Sequence, residues 1–276
     1  MFDILEALRT GVPSDWVAQV QHAMSTMLLS AARITAIFVL MPTFSRTVIT
    51  GVVRSGIVLS LSLFMFPVVF PTMDMSMGYL TMTGLVLKET FIGVLIGYSI
   101  GALFWGVEGA GFFIDNQRGS AMAGSVDPLS GSDTTPMGIL FMQAYVSYFF
   151  VSGSFLVFLG LLYDSYVAWP VTSFWPQLPP DMPDYVLGVG DRVMYLAVVF
   201  AGPLIIAMFV SEFGLALVSR FAPQLNVFVL AMPVKSGVGL FVLALYIPFL
   251  FSYLQDGLQT MPSIFSAIAR LIQPLP

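Results

Sequence analysis

Six stretches, at about residues 17–41, 48–71, 79–105, 137–163, 187–218 and 225–254, are apolar nearly throughout. Each is long enough to cross a hydrocarbon core of about 30 Å as a helix, which takes roughly 20 residues. The first, with Gln19, Gln21, His22 and Arg33, is the least apolar. Short polar breaks (MPTFSRT, TMDMSMG, SRFAPQ) separate most of them. The pattern predicts an all-α, membrane-associated fold of about six long apolar helices arranged as hairpins.

Two breaks are longer. The segment 164–186 holds Pro170, Pro176, Pro179, Pro180 and Pro183, a density that forbids one continuous helix there. Its Tyr166, Trp169, Phe174 and Trp175 suit a membrane–water interface. The segment 106–136 is rich in Gly, Ser and Asp, with glycines at 106, 109, 111 and 119. It is too polar for a spanning helix and reads as a loop, either extramembrane or re-entrant and closing a pore. Asp115 and Arg118 are spaced to pair on a helical turn.

Both ends carry amphipathic patterns. Phe2, Ile4, Leu5 and Leu8 share one face of a short segment that lacks the basic start of a cleaved signal peptide. Ile264, Phe265, Ile268, Leu271 and Ile272 do the same in the tail, predicting a short helix on the surface or on a partner. Arg46, Arg54, Arg118 and Arg220 outnumber Arg9 and Arg270, which places both termini outside.

Composition narrows the function. Apolar residues make up 58% of the 276 and charged residues 9%, against about 25% in a soluble domain. That argues against a soluble enzyme, a nucleic-acid binder and a disordered scaffold. The net charge of −5 includes no basic run for nucleic acid. Cysteine is absent and His22 is the sole histidine, so disulfides, thiolate metal sites and HExxH chemistry are excluded. No cofactor is implied. The 17 methionines, four of them close together at 73, 75, 77 and 82, read mainly as core filling.

Gly93, Gly97 and Gly101 repeat every four residues and make a smooth stripe for a tight helix contact. Arg33, Lys88, Glu89, Glu212 and Lys235 fall in or near apolar stretches. An unpaired charge facing lipid costs at least ~2.5 kcal/mol, so these side chains must pair, snorkel or face water. Lys235 is placed to snorkel or to meet a partner's acid. Tyr163-Asp164 and the GVGD ending at Asp191 match the two short motifs of intramembrane aspartyl proteases. The proline-alanine-leucine element of that class is missing. A small-solute transporter or channel is a further alternative, although no internal repeat supports it.

Several motifs follow one another in a fixed order: KETFIGVLIG, FWGVEGAGFFIDNQRG, VDPLSG, LYDSYVAWPV and FAPQLNVFVLAMPVKSG. Together, over about residues 20–256, they closely resemble the FliR/SctT family, the T-type export-apparatus subunit of type III secretion systems. IDNQRG and YDSYVAWPV look more like the injectisome branch than the flagellar one. The resemblance implies a single-copy, non-enzymatic subunit of the bacterial inner membrane. Its partners would be the R-type and S-type subunits, together with the U-type switch subunit, the V-type export subunit and unfolded secreted proteins in transit. It implies an R-like part over 1–186, an S-like hairpin over 187–256 and the tail 257–276. It also implies that some apolar helices are buried in protein rather than lipid. The loop after the third helix, 106–136 with its working part at 106–124, would plug the pore. Gly109, Gly111, Phe112, Phe113 and Gly119 would then form a flexible seal, with Glu108, Asp115, Gln117 and Arg118 as its anchors.

Overall fold

The computed structural model describes residues 14–45, 49–73, 78–119, 135–173, 180–222, 224 and 227–271. The N-terminal amphipathic segment, Arg46, Met75, Met77, VDPLSG with the far part of the expected plug, and the middle of the proline-rich loop lie outside these residues. Every regular element among the described residues is helical: α1 Ser14–Leu40, α2 Gly51–Val69, α3 Tyr79–Arg118, α4 Pro136–Val151, α5 Ser154–Ala168, α6 Met182–Phe221, α7 Val227–Gln259 and α8 Met261–Leu271. Short 3-10 turns at Pro42–Phe44 and Phe70–Thr72 follow α1 and α2.

The apolar blocks became helices with two corrections. The third does not stop near residue 105; α3 runs 40 residues to Arg118, about 60 Å at 1.5 Å per residue. The fourth is two helices, bent by 76° between α4 and α5. Gly153 sits at the break with φ +78°, a conformation that only glycine adopts cheaply. Among the described residues, five helices are long and apolar enough to cross a membrane, or six if the bent pair counts as one. The tail helix α8 turns its apolar face inward, with Met261, Ile264 and Ile268 buried in this chain.

The residues cluster into two compact units, each discontinuous in sequence. The first comprises residues up to Ile100, Val157–Met182 and those from Pro262. The second comprises Gly101–Leu156 and Pro183–Met261. This partition concerns compactness, and is a different division from the R-like and S-like parts the resemblance implies.

In the first unit α1 packs on α2 and on the front half of α3. Leu29, Ile34, Ile37 and Phe38 are wholly buried, and Phe38 stacks on Phe44 at 3.8 Å. The buried hydroxyls of Thr26 and Ser30 are satisfied by the carbonyls of His22 and Thr26 one turn back. His22 itself lies 3.2 Å from the Met73 carbonyl and edge-on to Phe70.

In the second unit Phe104 packs on Tyr145 and Phe149 at 4.8 and 5.5 Å. Helices α6 and α7 form an antiparallel hairpin in which Met208 faces Gly239, and Glu212 faces Lys235. One face of α6 is buried (Phe200, Leu204, Met208), while Ile206, Phe209, Val210 and Phe213 are exposed. A helix apolar on all sides belongs in lipid or against other protein. Prolines interrupt the hydrogen-bond ladder of α2 (Pro67), α6 (Pro203) and α7 (Pro233, Pro248), whereas α3 has none.

Candidate functional site

The glycine-rich, polar stretch after Gly106 reads as a loop, in keeping with glycine being about 1 kcal/mol worse than alanine in a helix. Packing overrides it. A side chain at Gly106 would run into Leu196 and one at Gly109 would press on Ala197, both of α6. One at Gly111 would overlap the backbone of Met137 and Gly138 at the start of α4. These glycines let helices approach closely, and within a helix they do not give the backbone freedom expected of a flexible seal.

The end of α3 is tied to its neighbours by polar groups. Asp115, 1% exposed, accepts the Met137 backbone N–H at 2.8 Å through Oδ2, and its Oδ1 lies 3.5 Å from Arg118 Nη1. Thr135 gives α4 no side-chain cap, so Asp115 supplies from another helix the acceptor that an N-terminal turn needs, and its charge suits the positive end of the helix dipole. Gly119, at φ +89°, then ends α3. Both flanks of the 120–134 segment are therefore joined at its base.

A second set of contacts reaches the α6–α7 hairpin. Glu212 Oε2 accepts Lys235 Nζ at 3.1 Å and Gln117 Nε2 at 3.4 Å. Arg118 Nε reaches Ser236 Oγ at 3.4 Å. Lys235 thus meets an acid of its own chain. Glu212 is 43% exposed along its side chain, so this pair is worth little, about 0–1 kcal/mol. Among the remaining expected plug residues, Phe112 is exposed and Phe113 half-buried, with their rings 6.2 Å apart, and Glu108 is half-buried.

Most of the other singled-out residues belong to the first unit. Side chains at Gly93 and Gly97 would strike α1, the former at the Arg33 carbonyl and Ala36 and the latter at Ile37 and Leu40. Gly101 is buried. Arg33 and Glu89 form a wholly buried pair, with Nε–Oε2 at 2.6 Å and Nη2–Oε1 at 3.1 Å. Arg33 also donates to Ser165 Oγ and to the Trp169 carbonyl, and its guanidinium lies 4.0 Å from the Tyr166 ring centre. Lys88 completes the group at 2.8 Å from Glu89. Asp164 and Asp191 are both exposed, on α5 and α6, and belong to different units.

Sequence reasoning missed Gly138, Ser236 and the Met137 amide. The first two sit in motifs, PMG and VKSG, whose small residues hinted at close contact; nothing in the sequence marks a backbone amide as the partner of a distant aspartate.

Long apolar helices, charges paired inside the chain and exposed apolar faces on α6 and α7 define a polytopic membrane subunit. The chain belongs to the FliR/SctT family: the sequence model described as "Bacterial export proteins, family 1" matches residues 24–261. It is 43% identical over 228 residues to "Yop proteins translocation protein T" of Yersinia pestis, covering 82% of this chain and 87% of that one. It is 33% identical over 232 residues to "Surface presentation of antigens protein SpaR" of Salmonella typhimurium, with 83% and 85% covered. Similarity to "Flagellar biosynthetic protein FliR" of Escherichia coli is lower, 23% over 244 residues with 88% and 91% covered. The chain therefore falls on the injectisome side of the family.

Proposed function

We propose that this protein is a non-enzymatic subunit of a type III secretion export gate in the bacterial inner membrane. It assembles with R-type and S-type subunits, and with the U-type and V-type proteins, around a path for unfolded polypeptides. Several relatives that align over most of the chain carry names of secretion or translocation proteins, and this supports the reading. So do the apolar α6 and α7, which leave Phe209, Val210, Phe213, Phe241, Leu245 and Phe249 exposed: such a pair calls for cover by other subunits or lipid.

The observation that carries the gate assignment is the tied base of the 120–134 segment. A stopper must hold ions back yet yield to a passing chain. It needs a fixed mount and an apolar, weakly bonded closing surface, which can shut by packing and dewetting. Helical residues 106–118 are suited to the mount, with Asp115, Gln117 and Arg118 anchoring it. Gly119 releases the chain from the helix, and the exposed Phe112 ring offers apolar surface for closure.

The test is ion leak through the assembled complex in membranes, together with secretion of a reporter. Shortening 120–134, or Phe112→Ala, should raise the leak while the subunits still co-purify. Unchanged leak and unchanged secretion in both variants would remove the plug from the reading.

A further inference from the structure

The buried charge group of the first unit contains an arrangement that pairing alone does not explain. Four oxygens converge on Lys88 Nζ: Glu89 Oε1 at 2.8 Å, and the carbonyls of Val171 at 2.8 Å, Pro170 at 3.0 Å and Ser173 at 3.0 Å. An ammonium has three N–H bonds to donate, so four acceptors at these distances exceed what directed hydrogen bonds can use. The lysine side chain is 1% exposed. Carbonyl dipoles enclosing a cation in place of its hydration shell are how proteins hold bare monovalent ions.

Charge balance points the same way. Arg33 and Lys88 carry two positive charges and Glu89 one negative, and the arginine holds both oxygens of that carboxylate. One positive charge is left over. It faces the carbonyls of residues 170, 171 and 173, just past the C-terminal end of α5, where a helix dipole is negative. The turn itself is closed by the Ser173 backbone N–H donating to the Pro170 carbonyl at 3.2 Å. The two sides of the contact, KET in α3 and DSYVAWPV at the end of α5, are both among the motifs that carry the family resemblance.

We infer that Glu89 and the Pro170–Ser173 turn form a monovalent-cation site which the protein fills with its own Lys88. This tethered cation fixes the direction in which the chain leaves α5, making Lys88 a positioning residue. The ligand class is a bare monovalent cation of ammonium or potassium type. The inference concerns the first unit alone and does not rest on the export reading.

Lys88→Met removes the charge and keeps the apolar stem. In the full-length protein, embedded in its native complex, it should expose the α5–α6 connection to limited proteolysis about tenfold faster in choline chloride, because the carbonyls of Pro170, Val171 and Ser173 lose the donor they share. Potassium or ammonium chloride should restore protection in a saturable way, and the parent should be indifferent to the salt. A second variant, Lys88→Ala, leaves a larger void and should be rescued best by ethylammonium. Unchanged proteolysis in choline would overturn the inference. So would losses in both variants that no monovalent cation reverses, or rescue by tetramethylammonium as good as by potassium.

Discussion

Asp115 on α3 accepts the backbone N–H of Met137 on α4 across 22 positions of sequence, at 2.8 Å. One carboxylate near the end of α3 therefore caps the start of α4. Asp115→Ala should remove a charge-assisted bond worth about 1.5–3 kcal/mol and leave the Met137 amide buried without an acceptor. The check is the melting temperature of the purified complex, read beside its ion leak. Asp115→Asn keeps an acceptor oxygen and should lose less. If alanine and asparagine behave alike and match the parent, the bond does not hold the segment.

The glycines of α3 should respond according to what faces them. Gly111→Ala drives a methyl into the Gly138 backbone and should cost about 1–3 kcal/mol through overpacking. Gly160→Ala, on α5 with open space around it, should be neutral or stabilising by up to ~1 kcal/mol. Denaturant unfolding of the two variants side by side tests this; equal effects would mean that helix propensity, not contact, governs both.

Glu89→Ala leaves Arg33 and Lys88 without their shared carboxylate in a buried site. A loss of about 3–5 kcal/mol is expected. A double-mutant cycle with Arg33→Ala should show strong coupling, and an additive result would contradict the pairing.

Lys235→Ala should shift stability by no more than about 1 kcal/mol, because the Glu212 side chain it faces is 43% exposed. A larger fall in subunit co-purification than in thermal stability would instead assign Lys235 a contact with another chain.

Much of the fold was legible because apolar block length is a direct physical signal: a helix that crosses or fills an apolar layer needs its full run of apolar residues. The stop of α3 was not legible. The glycines that argue for a loop by propensity are, in a pile of close helices, the residues that permit a longer one. That reversal depends on Leu196, Ala197 and Gly138, which are far off in sequence. The bend at Gly153 was hidden for a similar reason, since a lone glycine amid VSGSF does not reveal its φ. Pairing of the buried charges followed from the cost of leaving them alone, but sequence could not name the partners. Lys88 is next to Glu89 in sequence, whereas its other oxygens come from a turn more than 80 positions away.

The placement of proline has a mechanical consequence. Each proline deletes one rung of its helix and leaves a place of easy flexing. Three of them lie in α6 and α7, while the 40 residues of α3 have none. The hairpin of α6 and α7 is thus a pair of jointed rods, with joints at Pro203, Pro233 and Pro248. Any deformation of this hairpin is expected at those joints, with the unbroken turns between them keeping their form.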